Sequence, residues 1–367
     1  MREIRQKEVS DFLLTNCFTL VYCCARMGKI KITLDYLNQT SYSNILIIHP
    51  TIPIKKSWQD DVIKWGFDGS RLSYSTTASL GKIIENKYDL IVMDECQLFS
   101  EKQLTYLRFL IKNQDVKRCI GLSGTLTNKT QQTIKELTGL EVGITYTTEQ
   151  GISDGFISDY RITVVETSLD NKDRYIIPSK EKPSYRVTEH ESYIYLTKKI
   201  DEIKRFGGNL GFYPIMRLNL FKKSIAKQEL TKKLIQKYYS ERLLVFCGTT
   251  FTTDMLGIPV FHSKSTDIAI KDDFCSGKIQ HLAVCKMLNS GITITPISKA
   301  IINSFDSNSE NLSQQVARMM NFEYDNPSKR AEILIVCTDN ATEKKFLKSA
   351  LEFFSPEKIT YKKYDDL

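Results

Sequence analysis

The chain has no run of about twenty apolar residues, which a membrane-spanning helix requires. It has four histidines, and none of its nine cysteines forms a C-x-x-C pair, so neither a zinc site nor a dithiol redox motif is indicated. The first eight residues are mostly charged and lack the apolar segment of a signal peptide. These absences predict a cytoplasmic protein with reduced thiols and no membrane contact.

Length and composition indicate a globular protein of two domains. At 367 residues the chain exceeds what one hydrophobic core usually serves. Its 41% hydrophobic and 26% charged content is typical of soluble globular proteins. The net charge of +8 suits a polyanionic partner, but a solvated lysine-rich surface explains it nearly as well.

Apolar strand-like runs alternate with helical patterns in both halves, which predicts parallel sheets wrapped by helices. In the first half we predict strands at 18–23, 44–49, 90–93 and 116–122, and helices at 8–15, 30–37, 54–65 and 101–112. In the second half we predict strands at 161–167, 243–247, 260–262, 282–285, 300–303 and 333–337, and helices at 189–206 and 216–239. Residues 168–183 are predicted to be an exposed loop, and residues 149–160 a hinge between the domains.

A phosphate-loop pattern follows the first strand and ends in Gly28 and Lys29. A lysine on such a loop holds nucleotide phosphates, and the glycine lets the backbone approach them closely. A complete motif also has a first glycine and a closing hydroxyl residue, and these positions are Cys23 and Ile30 here. The missing hydroxyl removes one Mg²⁺ ligand. Taken alone, the segment also fits an ordinary turn between a strand and a helix.

Two adjacent carboxylates, Asp94 and Glu95, follow the apolar strand at 90–93. An aspartate at a strand tip can hold Mg²⁺ through water, and the next glutamate can polarise an attacking water. Combined with Lys29, this pair predicts a site that hydrolyses ATP with Mg²⁺.

The order of motifs resembles that of a superfamily 2 DNA helicase or translocase, in the phage-type form with a DExH/DExQ box and Swi/Snf-like motifs. The matching segments are 45–51 (motif Ia), 74–77 (Ib), 94–97 (the DExQ box), 121–125 (III), 244–248 (IV), 285–292 (V) and 314–318 (VI). This resemblance implies an α/β fold of two RecA-like parallel-sheet domains in tandem, at 1–157 and 158–367, with the nucleotide cleft between them. The compact length suits a viral protein, which would act in the host cytoplasm.

The resemblance also implies roles for particular residues. Lys29, Asp94, Glu95 and an arginine finger, Arg318, would be catalytic, while the family's second arginine is Asn321 here. The cofactor-binding residues would be Gln6, Arg26, Met27, Gly28, Lys29, Ile30 and Gly291. Gln6 takes the place of an adenine-reading glutamine, although it also fits a surface position. Coupling of nucleotide state to domain movement would involve Gln97, Ser123, Thr125 and Gln314.

Nucleic acid would be held through its phosphates, with DNA favoured over RNA and little sequence preference. The contacts would come from Pro50, Thr51, Lys55, Ser75, Thr76, Thr249, Ser263, Lys264 and Lys286. Trp58 could stack on a base, but its place in an amphipathic helix favours the core.

Two functional classes stay open. The first is an active ATP-driven helicase or translocase, acting as a monomer, with a replication, repair or transcription protein as a possible partner. The second is a degenerate helicase fold that binds nucleic acid or protein with little ATP turnover, which the changes at Cys23, Ile30 and Asn321 motivate. A P-loop kinase is excluded because motifs IV to VI have no role in one.

Overall fold

Two parallel-sheet α/β units make up the described chain. The computed structural model describes residues 1–83, 85–113, 116–172, 175–177, 185–265, 267–285, 297, 299–321 and 328–367. The first unit contains Met1–Ser158 and Asn321, and the second contains the other described residues.

The first unit is built on a parallel sheet that has, among its described residues, six strands in the order β3-β2-β4-β5-β1-β6. The strands are β1 (Phe18–Cys23), β2 (Ile45–His49), β3 (Leu72–Thr76), β4 (Leu90–Asp94), β5 (Arg118–Ser123) and β6 (Glu141–Tyr146). The helices are α1 (Arg2–Thr15), α2 (Lys29–Asn38), α3 (Ile52–Lys64), α4 (Glu101–Asn113), α5 (Asn128–Thr138) and α6 (Thr148–Ser153). Every residue of β2 and β4 is buried, which explains their continuous apolar sequences, since helices cover both faces of such a sheet.

The second unit has a larger parallel sheet, with seven strands among the described residues in the order β11-β12-β10-β13-β14-β7-β15. They are β7 (Asp159–Thr167), β10 (Leu243–Cys247), β11 (Val260–Phe261), β12 (His281–Cys285), β13 (Lys299–Ile302), β14 (Arg330–Thr338) and β15 (Ile359–Lys363). A separate antiparallel pair joins β8 (Tyr175–Ile177) to β9 (Tyr185–Val187). The helices are α7 (Glu189–Arg205), α8 (Tyr213–Lys222), α9 (Ile225–Lys237), α10 (Thr250–Asp254), α11 (Ile268–Ser276), α12 (Ser309–Ala317) and α13 (Ala341–Ala350).

The prediction of one helix over 216–239 is wrong, because the chain forms α8 and α9 with a break at Lys223 and Ser224. Ser224 is the N-cap of α9, and its Oγ accepts a hydrogen bond from the Lys227 amide at 3.3 Å. Glu189 contacts the same helix start from a distant part of the sequence. Its buried carboxylate accepts hydrogen bonds from the Ser224 hydroxyl, at 2.8 Å, and from the Ile225 amide at the start of α9. A carboxylate at a helix N-terminus satisfies free amides and complements the helix dipole.

Other departures from the predictions are smaller. The loop predicted at 168–183 contains strand β8, and its Leu169 is buried. Strands β3, β6 and β15 were not predicted, and α1 begins at Arg2 rather than at residue 8. Trp58 is fully buried, which confirms its prediction as a core residue. In the part of the chain that is described, no helix has the length and apolar character needed to cross a bilayer.

Because all strands of the first sheet run parallel, their C-terminal ends lie at one edge. Cys23 ends β1, Asp94 ends β4 and Ser123 ends β5. The phosphate-loop pattern, the carboxylate pair and motif III therefore meet at this edge.

Candidate functional site

The loop between β1 and α2 contains two residues with left-handed backbone conformations, Arg26 and Gly28. Gly28 is the N-cap of α2 and adopts a left-handed conformation with φ of 86°. A Cβ atom at this position would lie 2.6 Å from Gln6 Nε2, so a larger residue would clash as well as strain the backbone. Among the described residues no side chain caps α2, which leaves its first amides available to an anion.

Gln6 packs directly against this loop. Its Nε2 donates a hydrogen bond to the Met27 carbonyl at 2.7 Å, and the residue is 9% exposed. The alternative interpretation of Gln6 as a surface residue is therefore wrong. Its predicted role in reading adenine stays a prediction.

Asp94 is 4% exposed and is held from two sides. Its Oδ2 accepts a hydrogen bond from Trp58 Nε1 at 2.8 Å, and its Oδ1 accepts one from the Glu95 amide at 2.9 Å. Burial, and then the neighbouring Glu95 carboxylate, raise the pKa of Asp94 from 3.8 to about 6, against the opposing effects of Lys29 and Trp58. A carboxyl with this pKa binds a proton or a cation readily, which fits a metal-binding role.

Glu95 is strained where it follows β4. Its φ of 49° is left-handed, which is unfavourable for a residue with a Cβ atom. Backbone strain of this kind persists where the surrounding structure enforces it, and it clusters at functional sites.

Lys29 faces this carboxylate pair. Its Nζ lies 3.2 Å from Glu95 Oε1, and the lysine side chain is 15% exposed. Burial lowers the pKa of Lys29, but Glu95 and Asp94 together raise it more, so the net shift is upward. Lys29 is therefore charged at neutral pH.

A chain of hydrogen bonds leads from Glu95 to motif III. Gln97 Nε2 donates to Glu95 Oε2 at 2.6 Å, and the Ser123 hydroxyl donates to Gln97 Oε1 at 2.7 Å. The Thr125 amide in turn donates to Ser123 Oγ at 3.2 Å. Three of the four residues predicted to couple nucleotide state to movement are thus linked to Glu95. The fourth, Gln314, lies on α12 in the second unit.

A cavity of about 340 Å³ is lined by Lys29, Asp94 and Glu95. Some of its lining was missed by the sequence analysis: Arg2, Cys24, Ile54, Ser57 and Asp61. Two signals could have identified part of this set. Arg2 lies one helical turn before Gln6 on α1, and residues 54, 57, 58 and 61 share one face of α3.

The residues present fit a nucleotide polyphosphate better than they fit a metal ion. Cationic side chains of Arg2, Arg26 and Lys29 line the cavity beside the loop glycine. Ile30 lines it too but offers no oxygen, and the described residues contain no group of three potential metal-ligating side chains. A divalent ion would therefore depend on Asp94, with water and nucleotide oxygens completing its shell.

The residues predicted to bind nucleic acid fall into two groups. In the first unit, Pro50 and Thr51 follow β2, Lys55 lies on α3, and Ser75 and Thr76 end β3. In the second unit, Thr249 caps α10, and Ser263 and Lys264 are exposed in the turn after β11. Arg318 directly follows α12. Lys286 and Gly291 lie outside the described residues.

Asn321, which the sequence resemblance aligns with a second arginine of the helicase family, belongs to the first unit. It forms a β-bridge with Ile157, and its carbonyl accepts a hydrogen bond from Ser158 Oγ at 2.6 Å.

These two units have the fold of tandem RecA-like helicase domains. The Hef helicase domain of Pyrococcus furiosus matches with a TM-score of 0.52 and 11% identity, over 96% of this chain and 97% of its own. A putative HsdR subunit fragment of a type I restriction enzyme from Vibrio vulnificus YJ016 matches with a TM-score of 0.60 and 16% identity, over 99% of this chain and 67% of its own. Dbp5 of S. cerevisiae, bound to RNA and ADP BeF3, matches with a TM-score of 0.63 and 12% identity, over 98% of this chain and 90% of its own.

No protein-family model matches the chain, and a search of curated proteins finds no relative. At these identities the structural likeness establishes the fold, and the function has to be argued from the site.

Proposed function

We propose that this protein is a nucleic-acid-dependent ATPase of the helicase or translocase type, with DNA as the favoured substrate. The observation that carries the proposal is the meeting of Lys29, Asp94 and Glu95 beside the left-handed Gly28 at one sheet edge. The solved complex of Dbp5 with RNA and ADP BeF3, which shares the fold, supports binding of both a nucleotide and a nucleic acid.

Each group at the site has a proposed task. Lys29 binds the nucleotide phosphates, and Asp94 holds Mg²⁺ through water, where the ion would neutralise charge on the phosphates. Glu95 orients and polarises the attacking water. Because Glu95 Oε1 faces Lys29 while Oε2 accepts a bond from Gln97, its carboxylate is fixed at both oxygens.

The bonds from Glu95 through Gln97 to Ser123 support a coupling role for motif III. A change at the Glu95 carboxylate affects the hydrogen bond that it accepts from Gln97. Gln97 in turn orients the Ser123 hydroxyl, which donates a hydrogen bond to it. Such a contiguous polar network is a physical route by which nucleotide state can bias the conformation of a loop.

The second candidate function is a degenerate helicase fold with little turnover. Ile30 favours it, since the side chain lines the cavity where the family has a metal-binding hydroxyl. We favour the active enzyme because the charged groups Lys29, Asp94, Glu95 and Arg318 are all retained.

The test is the rate of ATP hydrolysis by the purified protein alone and with single-stranded DNA, duplex DNA or RNA. We expect stimulation by nucleic acid, most strongly by DNA. Lys29→Ala should remove most of the ATPase activity. Lys112→Ala is the control, because Lys112 is an exposed lysine on α4, and this change should leave the activity unaltered. Nucleic-acid binding without turnover would favour the degenerate fold, and absence of both would refute the proposal.

A further inference from the structure

Two arginines flank the phosphate loop, and both line its cavity together with Lys29. Arg2 reaches from α1 across the loop, so that its Nη2 lies 3.2 Å from the position a Cβ atom would take at Gly28. Arg26 lies on the loop itself and is partly buried. Burial, and then the positive charge of Arg2, lower the pKa of Arg26, which indicates that the two guanidinium groups repel each other.

This arrangement is unfavourable for the protein by itself. Within the described ranges, neither guanidinium hydrogen bonds to a protein acceptor or pairs with a carboxylate, whereas nearby Arg5 pairs with both Glu8 and Asp154. Arg26 also has a φ of 70°, in the left-handed region that favours glycine. A bound anion would offset the repulsion between these two clustered cations. Backbone strain of the kind seen at Arg26 clusters at binding sites.

We propose that Arg2 and Arg26 bind the phosphate oxygens of the nucleotide directly and supply part of the neutralisation that a metal ion usually provides. This inference rests on the proposed function of the site. A guanidinium presents a planar set of donors that matches phosphate oxygens and stays charged at any working pH. Since Ile30 offers the metal no ligand, direct arginine contacts would let ATP bind with little dependence on Mg²⁺.

The test is the affinity for ATP measured by calorimetry with Mg²⁺ and again with a chelator. We expect the wild-type protein to keep most of its affinity in the chelator. Arg2→Gln and Arg26→Gln should each weaken binding about tenfold or more, because each removes a charged hydrogen-bond donor. Arg108→Gln, at an exposed position on α4, is the matched control and should bind as the wild type does.

Arg26→Gly separates binding from folding. Glycine accepts the left-handed conformation freely, so this variant should melt at the same or a higher temperature while binding ATP as weakly as Arg26→Gln. Wild-type protein that binds ATP only with Mg²⁺, or arginine variants that bind as tightly as the control, would overturn the inference while leaving the ATPase proposal intact. A wild-type protein that binds no ATP in either condition would overturn both.

Discussion

Replacing Trp58 by phenylalanine tests how Asp94 is held in the site. The indole Nε1 donates to Asp94 Oδ2 at 2.8 Å, and the two residues are 0% and 4% exposed. A hydrogen bond to a charged group contributes roughly 1.5–3 kcal/mol, and the smaller ring leaves a small cavity in the core. We therefore expect Trp58→Phe to lower the free energy of unfolding by about 2–4 kcal/mol near pH 8.

The loss should depend on pH in a direction that follows from the pKa of Asp94. This pKa is raised from 3.8 to about 6 in the folded protein, so ionised Asp94 destabilises the fold. The stability that the protonated form of Asp94 contributes is fully present below pH 3.8 and is lost as the pH rises through 6. The Trp58 bond opposes this shift, and its removal should raise the pKa of Asp94 further, by about one unit for each 1.4 kcal/mol.

The assay is urea unfolding of the wild type and variants near pH 5 and near pH 8, followed by tryptophan fluorescence. Both tryptophans of the chain lie in the first unit, so the signal reports on that unit. Trp65→Phe is the control. Trp65 also hydrogen bonds to a carboxylate, that of Asp61, but it is 43% exposed, so this bond is screened by water and should contribute less than the buried bond of Trp58 to Asp94. Trp58→Phe should lose about 1–2 kcal/mol more at the higher pH than at the lower. An equal loss at both pH values, or an equal loss in Trp65→Phe, would refute this reasoning.

Other changes address the loop, the metal and the second unit. Gly28→Ala should weaken ATP binding and destabilise the protein by roughly 1–2 kcal/mol, because the backbone is left-handed there and the new methyl group would clash with Gln6. Calorimetry would measure the affinity and thermal melting the stability, and an unchanged affinity would contradict this prediction. Ile30→Thr should lower the Mg²⁺ concentration needed for half-maximal ATPase rate, and superimposable titrations would mean that the hydroxyl matters little. Arg318→Ala should reduce kcat far more than ATP affinity, and a pure loss of affinity would contradict its role as an arginine finger. Nucleic-acid binding should weaken steeply with added salt, whereas a flat dependence would argue against phosphate contacts.

The strands that form the centre of each sheet were predictable because their signal is local. Strands β1 and β10 have the predicted bounds, and β4 extends the predicted strand by one residue, to Asp94. Each is a short and mostly apolar run whose residues are mostly buried, which is typical of a strand covered on both faces.

One local signal marks the break between α8 and α9, because Ser224 is the N-cap of α9 and serine is a favoured residue at that position. The contact of the Glu189 carboxylate with Ser224 and Ile225 was not predictable, since Glu189 lies far away in the sequence. The short strand β15 is mostly exposed, so its sequence lacks the apolar run that marks the central strands.

The sequence motifs identified the charged residues of the site but not the side chains that contact them. Lys29, Asp94 and Glu95 stand out because their chemistry is distinctive at strand ends. The contact of Trp58 with Asp94 depends on how α3 packs against the end of β4, which no spacing in the sequence determines. Arg2 was missed for the same reason, since its approach to Gly28 arises from the packing of α1 against α2.

The most direct test of the central claim compares the wild-type protein with Glu95→Gln in the presence of saturating single-stranded DNA. Glutamine keeps the size of the side chain and a hydrogen-bond acceptor, but it cannot polarise water as a carboxylate does. ATP binding and hydrolysis would be measured on the same preparations. The account predicts that the wild type hydrolyses ATP and that Glu95→Gln binds ATP yet loses most of the turnover. Equal turnover in the two proteins would contradict the assignment of this site as the one that hydrolyses ATP.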